Sequence, residues 1–169
     1  MKQKRLNHNA FYDIFHSPLG LLYLIFYNRS LVGVSFQKPR GIFVKNTDVS
    51  ASLKSELGQY FDEGRNSFSC KIDFMGGTAF EKKVWNALKQ VPYGETRSYK
   101  WIADTIGSPR AYRAVGQALG KNPIPIVLPC HRIIESDGSI GGYSSGEHIK
   151  RRLLDIEYYT LQSGDTTAE

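Results

Sequence analysis

The chain has 169 residues and 19.1 kDa, enough to bury a core without disulfide or metal staples, and its 41% hydrophobic and 22% charged residues exclude fibrous, disordered and low-complexity classes. The longest apolar run, Leu21 to Tyr27, falls well short of the ~18 residues that suggest a membrane span, and the opening MKQKRLNHNA has no signal-peptide core, so the sequence reads as cytosolic. The net charge of +6 favours polyanionic partners and is concentrated: Arg97, Lys100, Arg110, Arg113, Lys121 and Arg132 stand against Asp104 alone in that stretch, which reads either as a nucleic-acid footprint or as a solvated basic face.

The first elements are three closely spaced strands, Phe11 to His16, Leu21 to Tyr27 and Leu31 to Phe36, punctuated by Ser17-Pro18-Leu19-Gly20 and Asn28-Arg29-Ser30. Leu53, Leu57, Tyr60 and Phe61 then take helical spacing up to Gly64, and Phe68 to Phe74 reads as one more strand. Met75-Gly76-Gly77 reads as a linker. Thr78-Ala79-Phe80-Glu81 has the form of a capping box, opening a helix with Phe80, Val84 and Leu88 on one face that ends before Pro92 and Gly94.

A short helix from about Tyr99 to Ile106 stops at Gly107. A second is predicted from Ser108 as cap and Pro109 as first residue to Gly120. In it Ala114, Val115, Ala118 and Leu119 form the inner stripe and Arg110, Arg113 and Gln117 lie on another face. This is a helix-turn-helix outline, although helix pairs joined by Gly-Ser-Pro also serve packing alone.

Residues 122 to 134 form an apolar segment broken by Pro123, Pro125 and Pro129, which cannot be a central strand and suits holding one side chain still. That side chain is Cys130, a nucleophile if His131 and Arg132 favour its thiolate, or an inert buried thiol if they do not. In the last helix, capped within Ser144-Ser145-Gly146-Glu147, the stripe Ile149, Leu153, Ile156 also carries Glu157. Such a carboxylate either reaches water at the helix end or is buried and needs a partner, for which His131 is the natural choice. Cys130, His131 and Glu157 would then be nucleophile, base and orienter. The two cysteines lack a Cys-x-x-Cys spacing and none of the four histidines stands at metal-ligand spacing to another, so free thiols and no metal are expected.

Pro129-Cys130-His131-Arg132, with Arg113-Ala114-Val115-Gly116 and Asn122-Pro123 upstream and Gly142-Tyr143-Ser144 downstream, resembles the O6-alkylguanine-DNA alkyltransferases, also called methylated-DNA-protein-cysteine methyltransferases, over roughly residues 78 to 157. The resemblance implies an α/β protein: an RNase H-like N-terminal domain over residues 1–74, a linker at 75–78, a winged helix-turn-helix domain over 79–160 and a polar tail at 161–169. It implies that Cys130 accepts the alkyl group, with His131 as water-linked base, Glu157 as its orienting carboxylate and Asn122 bracing the turns. Tyr99 would assist nucleotide extrusion and face the guanine edge, and Arg113 would fill the gap in the stack. Arg110, Ala114, Gln117 and Arg132 would share the DNA face, and Tyr143, Ser144, Val127 and Pro125 would line the alkyl pocket.

The implied partner is double-stranded DNA carrying O6-alkylguanine, or less well O4-alkylthymine, met by a monomer with no cofactor and no membrane. Zinc held by some relatives needs N-terminal Cys and His ligands, and this chain offers only Cys70 with His8 and His16, so none is expected. Three other readings share parts of the pattern: a DNA-binding module without catalysis, a Cys-His-Glu hydrolase, and a repair protein that also regulates transcription.

Overall fold

The computed structural model describes residues 9–41 and 44–165, so His8 lies outside it. Strands β1 (Ala10–Ser17), β2 (Gly20–Tyr27) and β3 (Ser30–Ser35) form the expected antiparallel meander. Asn28 and Arg29 both have positive φ in the two-residue loop between β2 and β3, the backbone form whose twist matches paired strands. Strand β4 (Val44–Lys45), absent from the sequence reading because two residues carry no period, adds in parallel to β1, giving the order β3-β2-β1-β4.

Helix α1 (Ala51–Glu63) lies against β1 and buries Leu53, Leu57, Tyr60 and Phe61, the stripe read from spacing, and Gly64 closes it in the left-handed conformation. The strand expected over Phe68 to Phe74 does not form. Only Ile72 bridges to Leu31, because the next free donor on the β3 edge, Val34 N–H, is taken by the Pro123 carbonyl at 2.9 Å. The edge of the first sheet is thus shared between this segment and the proline-rich one.

Helix α2 (Ala79–Ala87) begins with a complete capping box, Thr78 with Glu81, and continues as a 3-10 turn over Leu88–Gln90. Strand β5 (Arg97–Ser98) leads into α3 (Tyr99–Thr105), which packs on α4 (Tyr112–Gly120). Helix α4 starts later than expected: Ser108 to Ala111 form a hydrogen-bonded turn, so Pro109 and Arg110 precede the helix. A 3-10 turn over Cys130–Arg132 runs into β6 (Ile133–Ile134), parallel to β5, and α5 (Glu147–Asp165) closes the fold, continuing past residue 160 into the expected tail. The buried side chains form one cluster from Leu22 to Leu153.

Candidate active site

The segment after α4 is held by side chain and strain together. Asn122 donates from Nδ2 to the Leu128 carbonyl (2.8 Å) and accepts the Ile124 N–H at Oδ1 (3.0 Å), closing the turns that the prolines open. Ile126, buried and β-branched, sits at φ 73, a conformation such residues avoid unless their surroundings impose it. This frame delivers Cys130 to the floor of a cavity of about 140 Å³ walled by Tyr99, Gly116, Leu119, Gly120, Gly142, Tyr143 and Ser144. Cys130 is 5% exposed, and burial pushes its thiol up against the downward pull of Asn122, Tyr143 and Lys150.

Behind the thiol lies a buried charge cluster. His131 Nε2 is 2.7 Å from Glu157 Oε1, and neither residue has any exposed surface. Arg132 grips both oxygens of the same carboxylate at 3.0 to 3.1 Å, Gly94 N–H donates to Oε2 at 2.9 Å, and Tyr60 Oη donates to Oε1 at 2.7 Å. Burial alone raises the Glu157 pKa; His131 and Arg132 outweigh it and bring the group down to about 2. Burial depresses the His131 pKa, with Arg132 and Lys150 acting the same way and Glu157 opposing them. The histidine is therefore neutral at neutral pH. With Nε2 facing the carboxylate as donor, Nδ1 is left a bare acceptor, buried without a hydrogen-bond partner among the described residues.

Over residues 79–159 the chain matches the family model described as the 6-O-methylguanine DNA methyltransferase DNA-binding domain. A methylated-DNA–protein-cysteine methyltransferase of Methanosarcina barkeri is 43% identical over 158 residues, covering 90% of this chain and 99% of the relative. The chain belongs to the methylated-DNA–protein-cysteine methyltransferase family. Among solved structures, Mycobacterium tuberculosis OGT in complex with DNA superposes with a TM-score of 0.82 at 39% identity, covering 89% of this chain and 94% of that one. The O6-methylguanine-DNA methyltransferase of Pyrococcus kodakaraensis gives 0.65 at 27% identity, covering 88% and 98%. The α/β fold of this methyltransferase, a small sheet with helices, is that of these structures.

Seen in the methyltransferase fold, half of the residues singled out in the sequence converge on the cavity: Cys130 on its floor, Tyr99, Tyr143 and Ser144 in its walls, Asn122, His131 and Glu157 around them. Five do not sit as expected. Arg132 is 2% exposed and spends its guanidinium on Glu157, the Val91 carbonyl and Asn66, so it cannot share a DNA face; a residue next to the nucleophile in sequence points backwards because the 3-10 turn rotates each successive side chain by about a third of a turn. Val127 lines a separate cavity of about 170 Å³ and Pro125 lines neither, the chain turning at Ile126 and Val127 between the bridged Pro125 and Leu128 before it reaches Cys130. Arg110 is exposed but precedes α4, so it does not share a helical face with Arg113 and Gln117. Ala114, expected in the inner stripe and also on the DNA face, is exposed; Val115, Ala118 and Leu119 form the stripe.

Three contributors escaped the sequence reading. Lys150, 1% exposed, gives Nζ to the Ile133 carbonyl at 2.6 Å and lies 6.0 Å from the Tyr99 ring centroid; it shares the α5 stripe with Leu153 and Glu157, so the spacing that marks Glu157 marks it too. Tyr60 was visible as a core position, and a buried phenol needs a partner for its hydroxyl. The Gly94 amide carried no signal. Among the described residues no three His, Cys, Asp or Glu side chains gather as a metal cage, and no helix is long and apolar enough to cross a membrane.

Proposed function

We propose that this protein repairs DNA by direct reversal, moving the alkyl group of O6-alkylguanine in a duplex to its own Cys130, once per molecule. The observation that carries this reading is a buried thiol on the floor of a cavity, next in sequence to a neutral histidine whose Nδ1 has no partner among the described residues and whose Nε2 is fixed by a carboxylate. The target atom lies inside the base stack, so the nucleotide leaves the helix to reach the cavity. Helices α3 and α4 act as a helix-turn-helix, and the turn after β6 as its wing, with Arg113 on the exposed face of α4 filling the vacancy and Lys100, Arg110 and Gln117 meeting the duplex. The N-terminal sheet with α1 is read as an RNase H-like support.

The resting thiol is held neutral by burial, so its proton must leave as the base docks. His131 Nδ1 takes it through a bridging water, and Glu157 and Arg132 hold the imidazole in register. Sulfur then attacks the alkyl carbon: the C–S bond forms, the C–O bond breaks and the electron pair stays on guanine. The guanine anion accepts a hydrogen bond from the Tyr99 hydroxyl, whose pKa is raised by burial, Glu135 and Cys130, and takes a proton from water to become the normal base, while His131 returns the thiol proton to water. The thioether has no good leaving group, so the enzyme is consumed.

Titration of a duplex bearing one O6-methylguanine against the protein, with peptide mass mapping, tests this directly. Repair stops at one lesion per chain with one methyl on Cys130. Turnover beyond one, or methyl found on Cys70, overturns the assignment; turnover on a thiol ester instead favours the hydrolase reading.

A further inference from the structure

We propose that Tyr60, on α1 in the N-terminal half, is a positioning residue for the His131–Glu157 pair. The inference rests on the reading of Cys130 as alkyl acceptor and His131 as its base. Its hydroxyl donates to Glu157 Oε1, the oxygen that His131 Nε2 also meets at 2.7 Å, and lies 3.4 Å from that nitrogen. Burial, Glu157 and Tyr93 push the phenol pKa well above its ordinary value, so the group remains a donor. It has one proton, and Glu157 holds it. Nε2 therefore faces two oxygens with no proton to offer it, which requires N–H at Nε2 and leaves Nδ1 as the bare acceptor.

The ring is fixed as well as the hydroxyl. It is fully buried, packs edge-on against Phe61 at 4.9 Å and Tyr93 at 5.4 Å, and its backbone carbonyl accepts the Tyr93 hydroxyl at 3.1 Å. The charged and titratable groups around the pair are Tyr60 from α1, Tyr93 from the loop after α2, Arg132 from the 3-10 turn and Lys150 from α5. Arg132 and Lys150 act on His131 as neighbouring cations. Tyr60 acts instead as a dipole on Glu157: without it, the carboxylate keeps more negative charge for His131, the imidazolium is favoured, and the base is lost at higher pH.

The test is single-turnover methyl transfer to Cys130 from about pH 5 to about pH 9, for wild type, Tyr60→Phe, and a protein with 3-fluorotyrosine at position 60, a more acidic phenol of nearly the same size. Tyr60→Phe should move the acid limb of the rate profile upward by roughly half a pH unit, the fluorinated protein should move it downward, and duplex affinity should be the same in all three. Superimposable profiles, with only a lower melting temperature for Tyr60→Phe, overturn the proposal. If Tyr60→Phe does not fold, the fluorinated protein decides by the direction of its shift. If wild type transfers no methyl, the functional reading fails separately, and nitrogen NMR of His131 still decides the placement: an Nδ1–H tautomer, or a titration unmoved by fluorination, overturns it.

Discussion

Glu157 has no exposed surface yet stays ionised, because five donor groups surround its two oxygens. Its folded pKa of about 2 lies below the unfolded value, so its contribution to stability is complete above the ordinary carboxylate range and is lost as pH falls toward 2. His131, also depressed, contributes in the same direction but begins to be lost nearer its ordinary value of 6.5, where the unfolded histidine starts to bind a proton that the folded one refuses. Urea midpoints should therefore decline in two stages on acidification. Glu157→Gln should remove the lower stage and cost about 3 kcal/mol at neutral pH, since it leaves the Arg132 charge buried and unpaired; an unchanged acid branch would contradict the pairing. The thiols give a second residue-level prediction. The adjacency of Arg132 suggested a reactive Cys130, but the guanidinium faces the other way, burial raises the Cys130 thiol, and Cys70 is pushed up to about 11 by burial and Glu56. In the DNA-free protein at neutral pH, both cysteines should react with a small thiol reagent more slowly than a free thiol, and a fast-labelling Cys130 would show that the resting site is already ionised.

At the scale of elements, the caps and turns were legible where chemistry is local. Thr78 and Glu81 form their box from two side chains three residues apart, and Gly64 ends α1 through its own backbone freedom. The Phe68 to Phe74 strand failed for a non-local reason: its partner edge is already bonded to Pro123. On α4, Arg113 is exposed beside Tyr112. Arg113→Ala should lose transfer from duplex far more than transfer from the free O6-methylguanine base, because its role is to stabilise the extruded state; equal losses would remove that role. The basic residues also divide. Lys121 is committed to Glu81 at 2.7 Å, tying the loop after α4 to the start of α2, so Lys121→Ala should leave the salt dependence of DNA binding nearly flat against wild type. Lys100→Ala, on the exposed side of α3, should reduce the slope of log affinity against log salt by about one.

Across the whole molecule, the site is assembled from distant parts of the chain: Tyr60 from α1, Gly94 from the loop after α2, Tyr99 from α3, Cys130 to Arg132 from one turn, and Lys150 and Glu157 from α5. The alkylated product tests how tightly these parts are joined. A methyl thioether adds a methyl group inside the 140 Å³ cavity, whose wall includes the buried Tyr143 hydroxyl, unpartnered among the described residues. The methylated protein should melt a few degrees lower, a loss of about 1 kcal/mol, and alkyl groups that overfill the cavity should lower the melting temperature further. Calorimetry of the two forms measures both.

The sequence by itself determined the meander, the helices with clear stripes, the rigid delivery of Cys130 and the inward placement of Glu157, because each depends on residues within a few positions of one another, where period, caps and proline geometry act. Only the tertiary structure decided which way Arg132 points, which walls the cavity has, and that Tyr60, Gly94 and Lys150 belong to the site. Those facts depend on where the 3-10 turn, α1 and α5 meet in space: burial at that meeting point favours neutral Cys130 and His131, while His131 and Arg132 overcome it to keep Glu157 ionised, which no local pattern encodes.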